Sequence, residues 1–252
     1  MDRRAAEDAL PGQLSLLDDT RREPRLIRYR FARSKRRTIG LTVDASGLSV
    51  RAPHRAPWRE IEAFLREKRH WIVARLNEWS QVPPPPVIGG ASGEVLPLLG
   101  EPVTLQLLDG RRGVGRSGTC LVVSAPAPRR AGLVLELLVG WLKQQALAAL
   151  APRAAHFAAR LGVAPPPVSL SRARSQWGVC TEHGAIRLNW RLVHLAPALA
   201  DYVVAHEVAH LVELNHSKRF WNLLGTLYPD WRDARERIEL AGASLPLFRE
   251  PE

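Results

Sequence analysis

Residues 203–221, VVAHEVAHLVELNHSKRFW, place three histidines and a glutamate inside one apolar segment. His206 and His210 are four apart. On a helix that spacing puts both imidazoles on one face, one turn apart, where they can share a metal ion at about 2.0–2.1 Å each. Glu207 follows the first histidine directly and so lies to one side of the ion, within reach of a water there. This is the His-Glu-x-x-His arrangement, in which the metal acidifies a water and the glutamate takes its proton as general base. The competing reading is a buried helix whose histidines are hydrogen-bonded core residues. A structural zinc site would leave Glu207 without a task.

A third ligand is needed for a catalytic zinc centre, which keeps one position open. His216 lies six residues past His210, a rotation of about 240° on a helix, so the helix has to end before it. Asn215 is the natural stop, because Asn tolerates the left-handed conformation. Glu213, Asp230 and Asp233 are alternative third ligands. The spacing from His206 to His216 equals that of the metzincins, but Glu213 stands where they carry Gly. The only methionine is Met1, so no Met-turn can form.

Elements must position these groups. Residues 197–214, PALADYVVAHEVAHLVEL, read as a helix of about five turns, with Tyr202, Val203, Val204, Val208, Leu211, Val212 and Leu214 as its buried side. KRFWNLLGTLYP and DWRDARERIELAGA read as further helices. Upstream, VSLSRA, WGVCTE and AIRLNWRLV are strand-like, and His183-Gly184 marks a tight turn. Residues 185–193 are expected to flank the active helix and pair with an extended substrate. Arg187, Asn189 and Arg191 share one face of that alternation. Arg174, with Arg172, precedes Trp177, and Lys218-Arg219 follow His216. Arg174, Arg187, Asn189 and Arg191 are therefore expected to contact substrate, as a positive rim favouring an anionic group. Trp177 and Trp190 read as core, and Cys180 as a small buried residue.

Further upstream, residues 131–161 carry a long Ala/Leu-rich helical pattern with Gly162 as C-cap and Pro152 as a kink or break. Residues 94–128 read as short strands, with DGRRGVGRSG as a turn. VPPPP, residues 82–86, is a stiff connector. Residues 57–80 read as one amphipathic helix entered at Pro57. TIGLTV and GLSVRA form a β-hairpin around Asp44–Gly47, and RLIRYRFARS another strand. Residues 1–24 read as a flexible tail.

The chain has 252 residues and a formal net charge of +11. The charge favours anionic partners, although an arginine-rich coding bias would produce the same surplus. RREPRLIRYRFARSKRR is the most basic stretch and is expected to make weak contact with nucleic acid or phosphate, of low specificity because no DNA-reading motif accompanies it. Two distant cysteines, Cys120 and Cys180, build no disulfide framework. The start has no apolar signal region, and LVLELLVGWL is too short for a membrane span. A cytoplasmic protein without membrane association is expected.

The motifs together resemble a known family. HEVAHLVELNHSKRFW is similar to the signature of the YgjP-like bacterial zinc metallopeptidases, relatives of the SprT and WLM groups. RARSQWGVCTEHGAIRLNWRL, RSKRRTIGLTVDASGLSVRAP and WREIEAFLREKRHWI resemble further blocks of the same family, in order, from about residue 26 to about residue 240. Val179 departs from the family, in which Ser is common at that position. The resemblance implies an α+β protein with a zincin-like, gluzincin-type catalytic lobe behind an N-terminal β-hairpin and helix lobe. It also implies one Zn2+ per chain on His206, His210 and His216, with Glu207 as base. The expected boundaries are a tail over 1–24 and one domain over 25–245, divided into an N-terminal lobe (25–128) and a catalytic lobe (129–245). A zinc-dependent peptidase is the first expectation. A metal-dependent nucleoside triphosphate pyrophosphatase, or a nucleic-acid-binding protein with a vestigial site, are the alternatives.

Overall fold

The computed structural model describes residues 13–18, 25–128, 130–173 and 176–249. The fold is mixed α+β, with six helices and several small sheets among the described residues. The chain divides into two compact units between Pro83 and Pro84, inside the proline run.

The smaller unit begins with strand β1 (Gln13–Asp18), within the stretch expected to be a tail. Strands β2 (Arg25–Ser34), β3 (Gly40–Asp44) and β4 (Gly47–Pro53) complete a sheet of order β1-β2-β4-β3. The expected hairpin is β3–β4, turning at Gly47 with φ 96°, where a side chain would be strained. The segment expected to be one helix is two, α1 (Trp58–Glu67) and α2 (Arg69–Ser80), broken at Lys68. Tyr29, Val43, Leu48, Val50, Ile61, Leu65 and Ile72 form the core of this unit.

In the larger unit, β5 (Val87–Ile88) pairs with the late strand β13 (Leu247–Phe248). Strands β6 (Val95–Leu98), β7 (Glu101–Asp109), β8 (Gly113–Ser117) and β9 (Cys120–Ala125) form a sheet of order β6-β7-β9-β8. β8 occupies half of the segment expected to be a turn. This sheet shares one apolar core with the helices that follow it. The division at Pro83 therefore replaces the lobe boundary expected at 128: Leu96, Val103, Leu105, Leu121 and Val123 bury themselves with the catalytic helices.

Helix α3 (Ala131–Arg160) runs unbroken through Pro152. It ends in the expected cap, with Gly162 at φ 69° and Val163 N–H donating back to Ala158. Val134, Leu138, Leu142, Ala146, Leu150, Ala154 and Ala158, spaced by four, make its buried stripe. It is long and apolar enough to cross a membrane by length and composition, unlike the short run expected there. Its buried stripe belongs to the core of the unit.

A three-stranded sheet follows, of order β10-β12-β11, from β10 (Val168–Ser171), β11 (Gly178–Cys180) and β12 (Ile186–Asn189). The strand expected over 185–193 stops at Asn189, whose side chain caps a 3-10 turn over 190–194. The last helices are α4 (Pro197–Ala209), α5 (Lys218–Leu227) and α6 (Trp231–Ala243).

Candidate metal centre

Helix α4 is entered at Pro197 and is buried along its length from Leu199 to Ala209, apart from Asp201 and His206, which are partly exposed. Its C-cap is His210, so it ends five residues before Asn215. Leu211 and Val212 turn back through hydrogen bonds to Val208 and Ala209. Val212 and Leu214, expected in the buried face, are 51% and 67% exposed. The early turn lets His210 Nδ1 meet the Glu213 carbonyl at 3.0 Å. A carbonyl only accepts, so Nδ1 carries the proton and Nε2 keeps its lone pair for a metal. This is the usual way a ligating histidine is oriented.

Ser217 then starts α5 by accepting the Phe220 N–H, a side-chain N-cap. The cap fixes His216 on one side of it and Phe220 on the other. Phe220 is fully buried and touches all three imidazoles, with ring centroids at 4.9 Å from His206, 4.4 Å from His210 and 4.7 Å from His216. His206 Nε2 and His216 Nε2 stand 2.9 Å apart. One nitrogen of each histidine lies within 4.8 Å of the others. Among the described residues Glu213, Asp230 and Asp233 do not join this group.

Three neutral imidazoles are the donor set that suits zinc and similar divalent ions. Burial, then the neighbouring His210 and His216, and then Arg235, push His206 down to about 3. His216 is lowered by the same causes in weaker form. The buried Nδ1 of His206 has no partner among the described residues. The residues fit one metal ion, with nitrogens converging and proton affinity suppressed where a cation would bind.

Glu207 is 6% exposed and lies against β11. Burial pushes its carboxyl up to about 7, opposed by the Cys180 N–H that donates to it. A Cβ on Gly178 would come within 2.5 Å of Glu207 Cγ and 2.7 Å of Cδ and Oε1. The absence of a side chain at 178 therefore makes room for the carboxylate. Cys180 is half-buried, and burial and Glu207 raise its thiol.

Beside these groups lies a cleft of about 370 Å³, lined by Gln176, Trp177, Gly178, Tyr202, Val203, His206, Glu207, Arg235, Ile238 and Glu239. A second cleft shares Gln176, Trp177, Ile238 and Glu239 and reaches Asn189 and Arg191. Arg235 lies 5.3 Å over the Trp221 ring and makes no ion pair among the described residues.

The expected substrate residues distribute differently. Arg174 lies outside the described residues. Arg187 is exposed on β12, in register with Val179. Asn189 is 4% exposed; it donates to the Ala173 and Gln176 carbonyls and accepts from Arg191 N–H. Arg191 reaches the Leu245 and Pro246 carbonyls at 3.3 Å. Asn189 and Arg191 thus tie down backbone, and polar type alone cannot reveal that. β12 is the central strand with both edges taken, so the strand left beside α4 with an open edge is β11. Trp190 is core as expected, and Trp177 packs against the same core while also lining the cleft. Sequence reasoning also missed Gly178, Tyr202, Phe220 and Arg235. Only Phe220 carried a local signal, three residues after a capping serine.

A buried helix with two histidines and a glutamate, completed by a third histidine from the next turn, defines a candidate metal-dependent hydrolase. Residues 37–240 match the YgjP-like, metallopeptidase domain. The chain belongs to the YgjP-like metallopeptidase family. No curated protein and no solved structure matches it.

Proposed function

We propose that this protein is a zinc-dependent peptidase of zincin-like, gluzincin-type architecture, holding one ion per chain on His206, His210 and His216. The convergence of the three imidazoles, with Glu207 one residue after the first, carries this reading. The ion, when bound, supplies Lewis acidity that polarises a carbonyl and acidifies a water. Glu207 accepts the proton of the attacking water and returns it to the leaving amine. The Cys180 N–H and the space over Gly178 hold the carboxylate at that task. Arg235 and the Tyr202 hydroxyl, both lining the cleft with His206, steady the negative charge that develops on the carbonyl oxygen. β11 offers its edge to an extended substrate.

A phosphoanhydride substrate is the second reading. Lys218 and Arg219 are exposed immediately after His216, and Arg235 adds a third cation at the cleft. The two cysteines are free, which suits a reducing cytoplasm and supports that compartment. The deciding experiment is a screen of the zinc-loaded protein and Glu207→Gln on caseins, peptide libraries and nucleoside triphosphates. The peptidase reading expects cleavage of polypeptide by the wild type, loss in Glu207→Gln, and the same zinc content in both. Hydrolysis of nucleotides alone would replace it with the second reading, and no hydrolysis of any class would remove both.

A further inference from the structure

The positive charge of the chain is concentrated in one place. Residues 25–83 carry fourteen Lys and Arg against five Asp and Glu, whereas residues 84–252 carry eighteen against fourteen. Eight cations of the smaller unit fall into two groups of four. Some hold the unit together. Arg33 donates to the carbonyls of Pro53, His54 and Ala56 and lies over the Phe31 and Trp58 rings. Arg66 faces Glu62, Lys68 faces Glu67, and Arg75 meets Glu78 at 2.7 Å.

The other group shares the open face of the sheet. Arg28 and Arg30 project from the same side of β2, and Arg51 on β4 sits in register with Ala32. All three are exposed. Arg36 folds over Gly40, the β3 partner of Arg51, so closely that a Cβ at Gly40 would meet the guanidinium at 2.5 Å. Arg30 has one acidic neighbour, Asp44 at 3.6 Å, and also contacts Ser46. Arg28 and Arg51 make no ion pair among the described residues. Among the described side chains, Ala32, Thr42, Asp44 and Ser49 lie between the arginines, so this part of the face is small in side chain. The opposite face is the one buried by α1 and α2. Arg30 stands opposite Ser49 and Arg51 opposite Ala32 and Gly40, so pairing within the sheet gives no reason for this cluster.

We propose that this open sheet face binds nucleic acid through its phosphate backbone, with Arg28, Arg30, Arg36 and Arg51 as the contacts. Guanidinium groups grip phosphate oxygens in two-pronged fashion. Residues two apart on a strand are about 6.7 Å apart and neighbouring strands about 4.8 Å, so the four groups spread over several phosphates of a polymer. They do not converge on one phosphate at a glycine-rich loop or helix N-terminus, as a mononucleotide site does. Among the side chains described, the face has no large apolar group to insert into a lipid surface. Among the described residues it presents no ring on which a base could stack, so recognition is by backbone and independent of sequence.

The test uses the full chain and the fluorescence anisotropy of labelled 30-nucleotide single strands and 30-base-pair duplexes, between 50 and 200 mM KCl. Neutralising about four phosphates predicts that log affinity falls with log salt at a slope of about −3 to −4. Arg28→Gln/Arg30→Gln/Arg51→Gln should lower the magnitude of that slope by about 2 to 3 and the affinity at 100 mM by tenfold or more. Arg28→Gln/Arg51→Gln, which spares the Arg30 contacts with Asp44 and Ser46, should give roughly two thirds of that loss of slope, and it serves if the triple variant misfolds. Arg111→Gln/Arg112→Gln/Arg116→Gln removes the same charge from the larger unit and should stay within about twofold of wild type. The proposal is overturned by absence of binding at 50 mM KCl, or by equal losses in the two triple variants. Binding to phosphatidylserine vesicles in place of nucleic acid would also overturn it. None of these readings depends on zinc or hydrolysis, so the result stands apart from the peptidase reading.

Discussion

Gly178→Ala should cripple the base without touching the metal. The new Cβ would lie 2.5 Å from Glu207 Cγ and 2.7 Å from Cδ and Oε1, where carbon atoms normally rest about 3.5–4.0 Å apart. About 1 Å of overlap must be relieved. β11 resists, because it is pinned to β12 by the bonds from Asn189 N–H to the Trp177 carbonyl and from Thr181 N–H to the Ala185 carbonyl, both 2.8 Å. The α4 backbone resists because it is buried on nearly all sides. What yields is the Glu207 side chain, which swings off the Cys180 N–H. A displacement of about 1 Å at a catalytic group costs roughly 100-fold in rate, and overpacking costs about 1–3 kcal/mol in stability. That corresponds to a melting point lower by several degrees. The three atoms nearest the new Cβ all belong to Glu207, so zinc stoichiometry and affinity, measured by competition with a chromogenic chelator, should match wild type. The diagnostic pattern is a fall in kcat of about two orders of magnitude with unchanged metal binding. A folded Gly178→Ala protein that hydrolyses substrate within threefold of wild type would refute the steric argument.

Phe220→Leu keeps an apolar residue but removes the ring that all three imidazoles touch, and should weaken zinc affinity at least tenfold in the same competition assay; unchanged affinity would deny Phe220 any role in positioning. Arg235→Gln should lower kcat by about 10- to 100-fold, with KM and zinc content unchanged, if the cation acts on developing charge; a rise in KM alone would make it a binding group for the substrate ground state. His194 is held neutral: Nδ1–H donates to the Pro97 carbonyl at 2.7 Å, Nε2 is buried without a partner, and burial, helped by Arg191, lowers the ring to about 4. The unfolded ring titrates near 6.5, so stability is intact above that pH and is lost as pH falls toward 4. Urea unfolding of metal-free wild type against His194→Asn should show about 2–3 kcal/mol of their difference disappearing between pH 7.5 and 4.5, and a pH-independent difference would sink the idea.

The histidine cluster was more legible in the sequence than the architecture around it. His206 and His210 are separated by one helical turn and Gly162 is a C-cap, and these are local rules that a short segment obeys by itself. The end of α4 is not local. Leu211, Val212 and Leu214 extend the apolar pattern, yet the helix stops at Ala209 because the chain is bent and His210 captures the Glu213 carbonyl. Strand order is not local either. The alternation in AIRLNWRLV marks Ile186 and Leu188 correctly as buried, but nothing in it says that β12 is central and β11 is the edge. Asn189 and Arg191 read as substrate groups because their type is polar, whereas their hydrogen-bonding capacity is spent on backbone carbonyls far along the chain. Arg235 has the opposite history. It sits among alternating charges on α6 that look like a solvated face, and only packing against α4 brings it to the cleft.

The burial of Glu207 is the strongest argument that the centre performs chemistry. A carboxylate 6% exposed is expensive to keep charged, and here one backbone N–H and no cation salt bridge among the described residues offsets that cost. An apolar residue of similar size at 207 would pack against β11 without any penalty. A centre that only stabilised the fold would be closed by a fourth protein ligand, and among the described residues only His206, His210 and His216 converge. The chain instead carries a glycine at 178 whose missing side chain makes room for a carboxylate that the fold does not require. Two positions 29 residues apart in the sequence are thus matched to a group that destabilises the folded state, and proton transfer beside a bound metal is the use that accounts for both.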